Sequence, residues 1–317
     1  MAAALGVLAS CGSVKSGEDA IAASRDSKVV VAYVTSWSDV MPDPQCMTHI
    51  NYAFGHVNES FNGVKIDNEE RLKQIVDLKK QKPDLKVLLS IGGWGSGRFS
   101  EMAANDEYRR AFAVDCERVV EEFALDGIDI DWEYPTSSMA NISSSPDDTE
   151  NFTLLMQDIR AAIGNEKELT LATVASARYI DFKAILPSVD FVNIMAYDMA
   201  SAPKHHSALY PSGHSGDITS DGAVTAHLKA GVPPSKLVMG MPFYGRGGDG
   251  YPSFQDYNKV GNTDTQYTEM WDEVAQVPYL ADKNDTLVFG FENPRSLAIK
   301  CQYILDKDLL GGMYWDY

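Results

Sequence analysis

Beyond residue 27 the chain alternates short runs of β-branched and apolar residues with longer stretches whose apolar positions recur at helical spacing. Strand-like runs cover residues 29–34, 49–54, 86–91, 127–131, 169–173, 191–195, 236–241 and 312–315. Between them, residues 68–81 set Leu72, Ile75 and Val76 at i, i+3 and i+4, with Leu78 widening the stripe. Residues 106–125 gather Phe112, Val119, Val120 and Phe123 on one side. Strands joined through helices run parallel, and eight of them predict an α/β fold of one domain, a closed (βα)8 TIM barrel. An open doubly wound sheet is the alternative, but no Gly-rich dinucleotide loop follows the first strand.

One run carries more acid than a buried strand tolerates. Residues 125–135 read LDGIDIDWEYP, with Asp126, Asp129, Asp131 and Glu133. Residues two apart on a strand share a face and lie about 6.6 Å from each other. Asp129, Asp131 and Glu133 therefore form a ladder on one side, while Ile128, Ile130 and Trp132 face the other. In a barrel the apolar side meets the helices, which sends the acids to the interior or the C-terminal rim, where the active sites of this architecture lie. Glu133, last of the three, is positioned to touch a ligand. Asp126 has the wrong parity and reads as a turn residue before Gly127. Taken alone, the ladder also fits a solvated edge or a carboxylate cage for a divalent cation. Trp132, Tyr134 and Pro135 do not belong on such an edge, and the Gly and distal Glu of an EF-hand loop are absent.

Charge narrows the choice of partner. A net charge of -18 and a pI near 4.6 make nucleic acid and acidic lipid headgroups poor partners and favour a neutral or cationic ligand. Cys11, Cys46, Cys116 and Cys301 include no CxxC pair, so no disulfide framework is indicated. His205, His206 and His214 share a Pro/Ser/Gly-rich loop without the i, i+4 spacing of a helical metal site. The reading assigns no metal and no cofactor.

The N-terminal run MAAALGVLASCGS, ending in Leu8-Ala9-Ser10-Cys11, resembles the lipobox of a bacterial lipoprotein signal, in which the Cys is acylated. No Lys or Arg precedes the run, and the alternative is an N-terminal segment with a free thiol. Residues 1–26 are read as a lipoprotein leader and tether, and 27–317 as the catalytic barrel. The expectation is an exported protein, lipid-anchored at Cys11 to a bacterial membrane on its periplasmic or cell-surface side. The leader run is too short to span a bilayer, so the membrane is met through the anchor alone.

DGIDIDWEYP resembles the DxxDxDxE signature of glycoside hydrolase family 18, the chitinases and their relatives. The likeness continues through VAYVTSW (31–37), THINYAF (48–54), SIGGW (90–94), NIMAYD (193–198), MPFYGR (241–246) and GGMYWD (311–316), in the family's order. This resemblance implies hydrolysis of β-1,4 bonds between N-acetylglucosamine units of an oligo- or polysaccharide, with retention of configuration. Family 18 is an exception to the paired-carboxylate rule, because the substrate's 2-acetamido oxygen is the nucleophile. The resemblance makes Glu133 the general acid and base. It gives Asp131 the acetamido N–H to hold, Asp129 a proton to share with Asp131, and Tyr197 the acetamido oxygen to orient. It also implies sugar-binding roles for Tyr33, Phe54, Met195, Asp198, Tyr244, Arg246 and Trp315, with Trp315 as floor of the reacting sugar and Trp94 beside the leaving-group site. Trp132 is read as core, and Trp37 and Trp271 are left without a role.

Rival readings are an endo-β-N-acetylglucosaminidase acting on the N-glycan core and a non-hydrolytic sugar-binding relative; the latter commonly lacks the final acid, which here is intact as Glu133. A monomer is expected. The chain stops two residues past Trp315, where the family pattern would continue into an eighth helix, so either the sequence is truncated there or the barrel is left open on one side. Residues 247–289, between the seventh and eighth strands, suit an elaborated loop with one helix near 267–275 better than a large α+β insertion. That implies a low wall, an open cleft and endo-type cleavage of weak processivity.

Overall fold

The computed structural model describes residues 28–248, 255–256 and 267–317; the leader and Cys11 lie outside the described residues. Strands β1 (Val29–Thr35), β2 (His49–Val57), β3 (Val64–Ile66), β4 (Lys86–Gly92), β5 (Gly127–Asp131), β6 (Glu168–Val174), β7 (Phe191–Met195) and β8 (Leu237–Pro242) are followed, after a small second sheet, by β14 (Gly311–Trp315). All but β3 run parallel, in the order β1-β14-β8-β7-β6-β5-β4-β2. The pairing of β2 with β1 closes the ring. This is the eight-stranded barrel that the run spacing predicts, with element ends moved by at most three residues.

Helices form where capping chemistry meets an apolar stripe. Asn105 accepts hydrogen bonds from the backbone of Glu107 and Tyr108, two acids occupy the first turn, and Asp106–Glu122 then buries Phe112, Val119 and Val120. Pro294–Asp306 starts on a capping box between Asn293 and Ser296 with Pro at its first position. The strands thus acquire two apolar layers. Ile128, Ile130, Leu169 and Leu171 belong to the layer under the helices. Val31, Tyr33, Phe191, Val238 and Met313 fill the barrel interior. Trp132 takes the outer side as parity requires, stacked on Phe99 at 5.3 Å and edge-on to Phe152 at 6.0 Å.

The segment after β8 departs from expectation. Strands β9 (Tyr244–Gly247), β10 (Gln255–Asp256), β11 (Thr268–Asp272), β12 (Val277–Ala281) and β13 (Leu287–Gly290) form an antiparallel sheet in the order β10-β9-β13-β12-β11. Residues 267–275, expected to be helical, instead supply β11. Glu269 and Met270 are good helix formers, but Met270 pairs with Tyr279 and Trp271 with Pro278, and this tertiary pairing overrides local propensity. Among the described residues the insertion contains no helix.

On the outside of β1 and β14 an apolar groove of about 1240 Å³ is lined by Val30, Leu297, Cys301, Ile304 and Tyr314. It lies away from the acids of β5. Among the described residues no helix is long and apolar enough to cross a membrane.

Because Phe99 is fully buried against Trp132, Phe99→Ala is expected to cost about 3–5 kcal/mol. Urea unfolding should show this as a lower midpoint at unchanged slope.

Candidate active site

Parallel register decides what surrounds the acids. Ser90 on β4 and Thr170 on β6 lie directly beside Asp129, and residues paired in register point to the same side of a sheet. The consequence is a saturated carboxylate at the bottom of the ladder. Tyr33 donates to Asp129 at 2.9 Å and Ser90 at 2.8 Å, both to Oδ2, while Thr170 at 2.6 Å and Asn193 at 3.3 Å donate to Oδ1. Burial pushes the Asp129 pKa up, and these four bonds pull it back toward the anion.

One step higher, Asp131 is buried and its Oδ1 has no hydrogen-bond partner. Burial first, then the charges of Glu133 and Asp129, hold its carboxyl well above the usual carboxylate range. No hydrogen bond joins Asp131 to Asp129, so the expected sharing of a proton is in this geometry an electrostatic coupling. Backbone packing at this level is tight. Gly92 pairs with Asp131 at φ +133°, and a Cβ there would lie 2.0 Å from the Asp131 carbonyl oxygen.

Glu133, just past the end of β5, is raised to about 7 by burial and by the charge of Asp198, against a hydrogen bond with Tyr134 that lowers it. A carboxylic acid still half-protonated near neutrality, at the rim of a barrel, is suited to giving and taking a proton. It opens into a cleft of about 720 Å³ that also contacts Asp131, Tyr197, Trp94 and Trp315.

All the sequence-designated residues of the barrel gather at this cleft except Asp129, which supports it from below. Trp315 stacks on Phe54 at 5.6 Å, Tyr33 lies 5.8 Å from Trp315 with its hydroxyl spent on Asp129, and Tyr197 is edge-on to Tyr244 at 6.2 Å. Met195 lines the same wall. Asp198 is gripped by Arg246 through two bonds of 2.7 and 2.6 Å, and by His206 at 3.3 Å. Those partners hold its carboxyl well below the usual range although burial opposes them. Trp94 is 61 % exposed beside Tyr134.

Sequence reasoning missed Trp37. It is 63 % exposed, lines the cleft, and lies 6.3 Å from both Phe54 and Trp315. Its position just past β1 carries the same signal that identified Trp315, an indole at the C-terminal end of a barrel strand. Tyr134, Met139 and Arg178 were also missed as cleft residues. Among the histidines, His205 contacts Asp272 at 3.2 Å while His206 contacts Asp198, so the two adjacent rings serve different carboxylates. Asp126 receives Lys79 and the backbone of Val87, both at 2.8 Å, which is a structural use.

The sequence pattern of Glycosyl hydrolases family 18 matches residues 29–317. Chitinase A1 of Niallia circulans is 30% identical over 408 residues; the match takes in 94% of this chain, which spans 57% of that protein's length. Chitotriosidase-1 of Mus musculus is 31% identical over 341 residues, 90% of this chain and 72% of the mouse protein. Among solved structures, a family 18 N-acetylglucosaminidase from Paenibacillus barengoltzii superposes with a TM-score of 0.82 at 33% identity, covering 92% of this chain and 95% of that one.

A carboxyl whose pKa is higher folded than unfolded keeps a proton that the unfolded chain releases, so folding loses stability as pH rises from about 4.5 to about 7 through Glu133. Glu133→Gln removes that loss. It is expected to raise the melting temperature at pH 8 and to change it less at pH 5; equal shifts at both pH values would mean an ordinary Glu133 pKa.

Proposed function

The chain belongs to glycosyl hydrolase family 18, and from that premise we propose that it hydrolyses β-1,4 bonds between N-acetylglucosamine units with retention, assisted by the substrate's own acetamido group. The observation that carries this reading is the graded acid ladder of β5, saturated at Asp129, unpartnered at Asp131 Oδ1 and near neutral pKa at Glu133, beneath an aromatic cleft.

In this mechanism the sugar lies over Trp315, its apolar face on the indole. Tyr197 donates to the acetamido oxygen and Asp131 accepts from the acetamido N–H, which fixes the oxygen below the anomeric carbon. That oxygen attacks carbon 1 as Glu133 gives its proton to the glycosidic oxygen; the bond to the leaving sugar breaks and an oxazolinium ion forms. Asp131 keeps its hydrogen bond from the N–H as that group acquires positive charge. Glu133, now a carboxylate, takes a proton from water, whose oxygen opens the ring at carbon 1 from the face the leaving group left. Two inversions give retention, and Glu133 ends as it began. Burial raises the Glu133 pKa, and the charge of Asp198, kept anionic by Arg246 and His206, adds to it, so the acid form stays populated up to neutral pH.

An open cleft and endo-type cleavage are supported by the small insertion. Of its described residues only Tyr244 and Arg246, both of β9, line the cleft. The likeness to an N-acetylglucosaminidase favours a second reading, release of single sugars from chain ends. Export with acylation at Cys11 completes the proposal; detergent partitioning of the full chain should be lost in Cys11→Ser.

Chitotetraose and a high-mannose glycoprotein, offered in parallel, test the substrate: cleavage of the first alone is expected, and product from neither would overturn the hydrolytic reading. Glu133→Gln should lower kcat by about 10²–10⁴-fold and leave oligosaccharide affinity nearly intact. Asp131→Asn and Tyr197→Phe should each lower kcat by about 10²-fold with little change in binding. Equal turnover of a substrate lacking the N-acetyl group would sink the assisted mechanism. In wild type kcat/KM should fall as pH rises through about 7, where Glu133 loses its proton.

A further inference from the structure

The barrel order sets two aromatic groups across the ring from each other. Trp37 and Trp315 follow β1 and end β14, whereas Glu133 and Tyr134 follow β5, and Arg178 and Tyr179 follow β6. In the eight-membered ring β5 is diametrically opposite β14, and β6 opposite β1. With Trp315 under the reacting sugar, the side bearing Trp94, Tyr134 and Tyr179 receives the leaving group. These rings form a row, Trp94 6.5 Å from Tyr134 and Tyr134 stacked at 5.5 Å on Tyr179.

Arg178 closes that row. Its guanidinium carbon lies 5.6 Å from the Tyr179 ring centre, and its Nε donates to Ser176 Oγ at 3.0 Å. The residues on either side adopt left-handed backbone, Ala177 at φ 56° and Tyr179 at φ 76°, although neither is Gly. Conformations of that kind persist where surroundings enforce them and cluster at ligand sites; here Thr149 holds the Tyr179 carbonyl at 2.9 Å. Two arginines line the cleft. Arg246 is committed to Asp198, whereas no described carboxylate forms an ion pair with Arg178, whose two terminal nitrogens have no described hydrogen-bond partner. An aligned guanidinium with its fork unspent, in a chain of net charge -18, matches a planar anion.

We propose that Arg178 builds a leaving-group subsite for a sugar that carries a carboxylate. The substrate class is a β-1,4-linked N-acetylhexosamine chain whose leaving residue bears an anionic oxygen pair beside the cleaved bond, as an ether-linked acid or as an oxidised reducing end. The inference rests on the hydrolytic reading above, and it makes Arg178 a specificity residue with no part in bond cleavage.

The test compares kcat/KM on four substrates at about 0.15 M salt, where the long-range repulsion of the acidic protein is screened beyond about 8 Å. They are chitotetraose, its aldonic acid, a tetrasaccharide alternating N-acetylglucosamine with its 3-O-lactyl ether, and the methyl ester of the last. Arg178→Gln should lower the acid-to-neutral ratio about tenfold for at least one acid, a charge-assisted bidentate contact being lost. Arg178→Lys, which keeps charge without the fork, should fall between. Loss confined to the lactyl substrate assigns the ether-linked acid, and loss confined to the aldonate assigns the oxidised end. A ratio that moves less than twofold for both acids, or an equal loss on ester and acid, overturns the proposal. No cleavage of chitotetraose by wild type would instead overturn the hydrolytic reading. Melting curves of both variants establish that they fold.

Discussion

Three carboxylates buried along one face of one strand are the constraint on which the rest of the structure depends. Unpaired buried charge costs several kcal/mol per ion, and the barrel meets that cost unevenly. Asp129 receives donors from four strands, Tyr33 of β1, Ser90 of β4, Thr170 of β6 and Asn193 of β7. Asp131 receives no side-chain donor and holds a proton the more firmly for it. The difference between Asp129, whose rise on burial is opposed by four hydrogen bonds, and Asp131, which has no such opposition, comes from where the donors of neighbouring strands lie. It requires β1, β4, β6 and β7 to converge on β5 from both sides, which a closed ring does and an open sheet does not.

A second polar system fixes the rim. Asp198 is tied to Arg246 of β9 and to His206, and the next residue, Ser207, donates to buried Glu292, which is paired with buried Lys300. The insertion sheet, the loop after β7 and the helix Pro294–Asp306 therefore meet through paired charges, with Glu292 Oε2 and His206 Nε2 buried and without a hydrogen-bond partner. Burying this system rigidifies the segment that carries Asp198, and Asp198 in turn sets the field at Glu133. The small sheet after β8 is thus tied to the chemistry through two side chains of its first strand, Tyr244 and Arg246.

The barrel strands were legible because each is a short apolar run and the helices between them repeat at 3.6 residues, two periods that do not mimic each other. The inward direction of Asp129 and Asp131 followed from parity alone, and so did the outward direction of Trp132. The insertion was not legible. Its strands gain stability from partners distant in sequence, as Met270 does from Tyr279, and a window containing Glu269, Met270 and Glu273 looks helical in isolation. Trp37 escaped notice although it follows the end of a barrel strand as Trp315 ends one, because the signal was applied to Trp315 and not to it. The bonds to Asp129 escaped it because registers between neighbouring strands are not written in either strand alone.

Alternation also explains how the protein tolerates an acidic core. On residues 127–132 the even positions, Ile128, Ile130 and Trp132, enter the outer apolar layer, and the odd positions carry the chemistry. The layer under the helices is large, so its burial offsets the desolvation of the ladder without touching the site. Stability and reactivity are then supplied by opposite faces of the same five peptide units. A change on the outer face shifts folding while the acids keep their field; a change on the inner face alters the field while the helices keep their packing. That separation is available only to a strand covered on both sides by different environments, one apolar and one polar, and the barrel interior next to β5 is where this chain provides it.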